Sequence, residues 1–404
     1  MNVGAEDRGR TITLVTLIIA AEAAFFLPFI LPRVFRPTLL ELFQISNTEL
    51  GMWFSVYGIV AMISYLFGGV LADRFPARNL MASGLWLTSG GGVIMAMVPS
   101  GKTMIWLYAF WGITTIWLFW AAMIRATREW GGEDFQGRAF GWLEGGRGSV
   151  AALLATFAFL IFSREGNFQI VILGTSGCTF LSGWLVWLFI PKRSPEKSGT
   201  PISEVIQGVY SLLRKRNIWL LSAIIVCAYA GYKITDDFSL FAREVLGYSE
   251  SKAAGLGSAA LWLRALVAIL TGYLADRYKR TDLLTVCFGL TAIGAVLFGF
   301  RVLDGITGLV LLNLALTAAG IYGLRALYFA VMKEAGFPVA LTGTAVGILS
   351  VVGFAPEIFM GPWMGHLLDS SPGATGHSHV FILLAAFAML GLVAGLLFRR
   401  STRS

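Results

Sequence analysis

Three observations predict an all-α integral membrane protein of twelve transmembrane helices, arranged as two pseudo-symmetric six-helix bundles. The chain of 404 residues is 56 % hydrophobic and only 13 % charged, whereas soluble domains carry about 25 % charged residues. Apolar stretches long enough to cross a bilayer recur from end to end, and the mean hydropathy is +0.73. One short string also occurs twice, about half the chain apart: Ser64 to Phe75 reads SYLFGGVLADRF and Val267 to Tyr278 reads VAILTGYLADRY.

Charged, proline and glycine clusters divide the sequence into spans 1 to 12, at 11–32, 50–72, 80–98, 104–125, 139–162, 168–190, 218–241, 253–274, 283–300, 306–331, 340–364 and 379–398. At about 22 residues each they use roughly 260 residues and leave short loops, which excludes a large extramembrane catalytic domain. Residues 1–190 then form an N-terminal bundle, 191–217 a linker and 218–404 a C-terminal bundle. The linker holds Lys192, Arg193, Lys197, Arg214, Lys215 and Arg216, and the apolar spacing from Ile202 to Leu213 predicts a short amphipathic helix on the membrane surface. Most of the 31 lysines and arginines lie on the side of the N-terminus, the linker and the C-terminus, which makes both termini cytoplasmic. That bias accounts for the net charge of +8 without nucleic acid. Cys178, Cys227 and Cys287 sit in apolar stretches without paired spacing and read as packing residues.

Each copy of the repeat closes a span on the cytoplasmic side, at the ends of spans 2 and 8. Two parallel halves are how a transporter builds a central site that opens alternately to either face. Gly69, Asp73, Arg74 and Arg78 resemble the loop 2–3 signature of the major facilitator superfamily, and Gly272, Asp276, Arg277 and Arg280 resemble its second copy. Pro76 and Ala77 stand where that signature has glycine and a basic residue. The stretch from Arg325 to Pro362 is similar to a bacterial branch near the organic-anion and organophosphate transporters. The resemblance implies a secondary transporter of a bacterial inner membrane, with spans 3, 6, 9 and 12 outermost and the other eight around the cavity. Asp73 and Asp276, with Arg74, Arg78, Arg277 and Arg280, are expected to gate the inner face through contacts with neighbouring helix ends.

A charge at the centre of a span costs about 2.5–3.5 kcal/mol on insertion scales, so each one needs a partner or a wet cavity. Nine lie away from the span ends: Glu22, Glu144, Arg147, Lys233, Asp236, Asp237, Arg264, Arg325 and Glu357. None lies in spans 3, 6, 9 or 12, in agreement with the resemblance. At about 1.5 Å per residue, Glu22 and Arg264 both lie roughly 17 Å deep, near the midplane. Glu144 and Arg147 are three apart, and Lys233 precedes Asp236 and Asp237 by three and four, so both groups can neutralise themselves and act as caps or gates. Asp236 and Asp237 are placed toward the outer interface.

Arg264 and Arg325 have no carboxylate within four residues. Their planar forks suit a carboxylate or phosphate, so they lead the substrate-binding candidates, followed by Arg147 and Lys233. A bridge from these arginines to Glu22 or Glu357 is the competing reading. Glu22 lies among alanines, where its ionised form is penalised, so it is the first candidate to load and release a proton. Glu357, between Pro356 and Pro362, is the second, and Asp236 and Asp237 follow. Trp117, Trp120, Tyr229, Tyr232, Tyr322 and Tyr328 fall on spans 4, 7 and 10; of these Tyr229, Tyr232 and Tyr322 are cavity candidates.

Ser100-Gly101-Lys102-Thr103 resembles the end of a phosphate-binding loop, but Ala96 replaces its first glycine, so no ATPase is indicated. His366, His377 and His379 gather without cysteines at ligand spacing. No nucleophile, dyad or metal constellation for an intramembrane enzyme is found. Span 5 lacks the glycine-proline signature of drug/proton antiporters. The sequence therefore predicts a monomeric, cofactor-free secondary transporter, a symporter or antiporter, that moves a small organic anion with protons. The alternative is transport of a neutral or amphipathic solute, with the buried charges acting as gates.

Overall fold

The computed structural model describes residues 3–72, 74–132, 136–193, 202–328, 330–335 and 342–402. Among them every regular element is helical. Ten helices are long and apolar enough to cross a membrane: Gly9–Val34, Gly101–Gly131, Gly141–Glu165, Phe168–Phe189, Arg216–Glu244, Glu250–Arg277, Arg280–Gly299, Thr307–Leu327, Ala345–Ser370 and Ala374–Ser401. They coincide with spans 1 and 4 to 12. The segments predicted as spans 2 and 3 form the helices Asn47–Ala72 and Ala77–Ala96. The second of these carries Arg78, Asn79, Ser83, Thr88 and Ser89, which lower its hydropathy. The linker helix forms at Ile202–Leu213.

Several spans change pitch along their length. In span 1 the α-helix gives way to a π-helical run at Phe26–Ile30. The partner expected for the Pro28 carbonyl is the residue four positions on, but that residue is Pro32 and has no N–H. The Tyr108 hydroxyl of span 4 donates to this carbonyl instead, at 3.2 Å. Span 7 tightens into a 3₁₀ turn at Thr235–Asp237 before continuing as Phe238–Glu244. Span 11 ends its first part at Gly353 and restarts at Pro356, which puts Glu357 in the first turn of the second part. Helix starts carry the expected caps. Ser46 and Glu49 form a reciprocal capping box, at 2.8 and 3.1 Å, and Asn167 accepts from the Gln169 N–H at 2.9 Å.

By packing, the chain falls into two compact units, one of Met1–Lys197, Phe238–Arg243 and Tyr248–Ala265, the other of Ser198–Asp237, Glu244–Gly247 and Leu266–Ser404. This division by packing is distinct from the division by sequence repeat. In the first unit Ala77–Ala96 lies along Phe168–Phe189, and span 1 packs on spans 5 and 6. In the second, Arg280–Gly299 lies along Ala374–Ser401, and span 7 packs on spans 11 and 12. Spans 3 and 6 are thus partners, as are spans 1 and 6, 9 and 12, and 7 and 12.

Close approach in the second unit depends on small residues. A Cβ on Gly320 would stand 2.9 Å from the Cys287 carbonyl oxygen and 3.0 Å from the Thr291 nitrogen, both backbone atoms of the neighbouring helix. Gly320→Ala is therefore expected to force spans 9 and 10 apart and cost about 1–3 kcal/mol. Gly347, with nothing within 4 Å of such a Cβ, is the control. The check is the unfolding temperature of each purified variant: Gly320→Ala should melt well below wild type, and Gly347→Ala should not.

Candidate functional site: charge clusters within the spans

In the first unit, Glu22 of span 1 is 1 % exposed and takes one arginine on each carboxylate oxygen. Arg147 of span 5 donates through Nε to Oε2 at 3.1 Å, and Arg264 of span 8 donates through Nη1 to Oε1 at 3.4 Å. Arg147 also donates to Glu144 at 2.9 Å, and its guanidinium lies over the rings of Phe25 and Trp120 at 5.6 and 5.7 Å. Small residues beside Arg147 make this convergence possible. A Cβ on Gly148 would touch Ala265 at 3.4 Å, and one on Gly146 would collide with Ile18. Both arginines are buried, as is Glu22, whereas the Glu144 side chain is 55 % exposed. The buried part of the cluster thus holds two guanidiniums around one carboxylate.

In the second unit, Lys233 is the centre. Its ammonium, buried to 1 % exposure, donates to Asp236 at 2.9 Å and to Glu357 at 3.0 Å. The Tyr229 hydroxyl donates to the other Glu357 oxygen at 2.5 Å. The Arg325 guanidinium stacks over Tyr232 at 4.1 Å and lies 5.8 Å from the Tyr229 ring, a cation–π arrangement, and one of its nitrogens is 3.5 Å from the Tyr328 hydroxyl. Tyr322 is fully buried on span 10.

Asp236 and Asp237 are 3 % and 0 % exposed; they lie in the 3₁₀ turn, and the helix continues beyond them as Phe238–Glu244. Of the two aspartates Lys233 pairs with Asp236, while Asp237 meets the ring of His377 at 2.7 Å. Arg264 is not left to an anion alone, since it reaches Glu22 across 242 residues of sequence.

The gating candidates are spread out. Asp73 lies outside the described residues, and Arg74, Asp276 and Arg277 are exposed. Arg78 lies over the Trp187 ring at 4.7 Å and Arg277 over Tyr273 at 4.3 Å, while the Arg280 backbone N–H donates to Glu334 at 3.1 Å. Sequence reasoning missed Arg125, which donates to the Ala72 carbonyl at 2.5 Å and to that of Phe75 at 3.3 Å, and so caps the end of span 2 beside the first repeat. It also missed the burial of Arg33 and Arg36, counted there as loop charges. Arg36 donates twice to the Asn47 side chain, at 3.0 and 2.9 Å.

Helices of membrane-crossing length with ion pairs buried between them define an integral membrane protein of the solute-transporter class. The chain belongs to the Major Facilitator Superfamily, whose family model matches residues 12–360. Members of that family are transporters, not enzymes. The chain is similar to the inner membrane protein YqcE of Escherichia coli K12, with 31 % identity over 97 % of this chain and 95 % of that protein. It is also similar to the inner membrane protein YihN of the same organism, with 25 % identity over 88 % of each. Among solved structures it shares its fold with a bacterial homologue of the human lysosomal transporter Spinster, in an inward-facing and unoccupied conformation. That match has a TM-score of 0.74 at 15 % identity and covers 98 % of this chain and 97 % of the other. The nucleoside transporter NupG has a TM-score of 0.76 at 13 % identity, covering 96 % and 99 %.

Proposed function

We propose that this protein is a secondary active transporter with twelve spans in two six-helix halves, which carries a small organic anion with protons by alternating access. It works as a monomer in a bacterial inner membrane, with both termini in the cytoplasm. The observation that carries the reading is the convergence of Arg147 and Arg264 on the buried carboxylate of Glu22, which brings two guanidinium forks together within the spans. A carboxylate or phosphate ester is the solute class that such forks recognise, in keeping with the organic-anion and organophosphate branch. Glu22 is the proton carrier in this scheme, with Glu357 second, and the two repeat loops at Asp73 and Asp276 are the inner gate. A thermal-shift screen against sugars, carboxylates and phosphate esters tests the solute class directly. Stabilisation by anions alone supports it, and stabilisation by sugars alone overturns it.

A second reading has its own support. Because Arg264 already holds Glu22 and Lys233 already holds Glu357, these groups can serve as bridges for a transporter of a neutral or amphipathic solute. Substitution at Arg264 separates the two. If Arg264 recognises an anion, Arg264→Lys should weaken binding almost as much as Arg264→Ala, since a point charge does not replace the fork. Loss of about 2–5 kcal/mol of binding is expected when a buried charge partner is truncated. Equal uptake by wild type and both variants in proteoliposomes would assign Arg264 to the bridge alone.

A further inference from the structure

We propose that His377, Asp237 and Glu244 form a proton-binding site that ties the end of span 7 to the start of span 12. The inference goes beyond the transport reading, because it involves neither Glu22 nor Glu357 and holds whatever the solute is.

The backbone brings the three together at the end of span 7 away from the linker helix. The 3₁₀ turn buries Asp237 completely, and Phe238–Glu244 carries Glu244 one further stretch along the same side. Span 12 begins after Gly373, whose φ of 77° suits glycine alone. A Cβ on Gly376 would stand only 3.1 Å from the Leu368 Cα, so the helix start packs closely there, and the Ser378 hydroxyl donates to the Gly299 carbonyl at 2.6 Å, which fixes its register. His377, 1 % exposed, is thereby held with Nδ1 2.7 Å from Asp237 Oδ2 and Nε2 3.2 Å from Glu244 Oε2.

Counting hydrogens gives the proton. A neutral imidazole has one N–H and one bare nitrogen, and an ionised carboxylate has no hydrogen to give. Two ring nitrogens can each face a carboxylate oxygen only if the trio carries one proton more than a neutral imidazole and two carboxylates. A second observation points the same way: Asp237 Oδ1 is buried without a hydrogen-bond partner among the described residues. An ionised carboxylate so poorly solvated needs a cation beside it, and the imidazolium is that cation.

The other ionisable groups on the surrounding elements leave this role to His377. Lys233 and Asp236 pair with each other at the preceding turn. Arg301 pairs with Asp304 beyond the end of span 9. Asp369 and His366 lie near the end of Pro356–Ser370, where His366 meets Ser370, and His379 is exposed. Once the extra proton leaves, the ring can donate to one carboxylate only. Asp237 has no access to water and keeps the bond, whereas Glu244, with a side chain 33 % exposed, is released. The proton is thus a latch on the end of span 7.

Nitrogen-15 NMR of the full chain, labelled at its three histidines and assigned with His366→Gln and His379→Gln, reads the site directly. At pH 7 the His377 ring should show both nitrogens protonated. Glu244→Gln, whose amide can donate to a bare nitrogen, should weaken proton binding at least tenfold, about one pH unit. Because Glu244 is partly exposed, this variant is expected to fold, and its unfolding temperature checks that. Amide hydrogen exchange over residues 238–248 reads the latch: at pH 7 the variant should exchange faster than wild type. One bare ring nitrogen in wild type at pH 7, or a titration unmoved by Glu244→Gln, overturns the proton site. Equal exchange in the two proteins overturns the latch.

Discussion

Lys233→Met is expected to lose about 3–5 kcal/mol of stability, the usual cost of removing one member of a buried ion cluster. The ammonium holds two carboxylates, Asp236 and Glu357, at 2.9 and 3.0 Å, and both are nearly inaccessible to water. Without it their charges repel in a low-dielectric setting, and the Tyr229 hydroxyl alone remains on Glu357. Adding Glu357→Gln to Lys233→Met should recover part of the loss, because it removes one uncompensated charge and keeps an acceptor for Tyr229. The exposed pair of Arg301 and Asp304, both side chains about half accessible, is the contrast. Breaking it should cost at most about 1 kcal/mol. Unfolding temperatures and yields of the purified variants check all three. A Lys233→Met protein as stable as wild type would mean that the cluster is hydrated, with water in place of the ammonium.

The contrast between near and distant partners also explains what the sequence made legible. Span positions follow from apolar content alone, and the repeat around Asp73 and Asp276 reveals two halves without reference to packing. The pairs Glu144–Arg147 and Lys233–Asp236 were visible because three residues on a helix bring side chains to one face. The partners of Glu22 were open alternatives, because Arg147 and Arg264 come from other helices and only packing chooses between them. The partner of Asp237 was not legible, because no residue type announces the 3₁₀ turn at Thr235 and His377 comes from another helix. His377 looked like one of three loop histidines, yet span 12 begins at Ala374, ahead of its predicted start at 379, and takes the ring into the interior. Arg125 drew no attention, because a basic residue at a helix end is common, and the carbonyls it caps belong to another helix. Pro28 and Pro32 lie where span 1 changes pitch, and nothing in the sequence says that a tyrosine of span 4 takes up the freed carbonyl.

Glu22→Gln is expected to abolish accumulation driven by a pH gradient while leaving exchange of substrate across the membrane intact. Both carboxylate oxygens are engaged by arginines, so the ionised form is the one this geometry holds. Taking up a proton must weaken both contacts at once. A cycle that protonates Glu22 therefore loosens its hold on Arg147 and Arg264 together, Arg147 keeping its contact with Glu144, and an anionic solute can take the place of the Glu22 carboxylate between the two guanidiniums. In this way proton uptake and anion binding favour the same state, which is what symport requires. Glutamine imitates the protonated carboxyl and cannot release a proton, so the variant is fixed in the anion-accepting condition. Net uphill transport needs the release step and should fall to the level set by exchange. Counterflow needs no proton release and should persist. Paired uptake and counterflow in proteoliposomes, with an imposed pH gradient, separate the two, and the unfolding temperature shows that the amide still supports the fold. Accumulation equal to wild type would move coupling away from Glu22, to Glu357 first and then to Asp236 or Asp237. Loss of counterflow together with accumulation would instead make Glu22 a structural bridge, whose charge is needed simply to hold the two arginines in place.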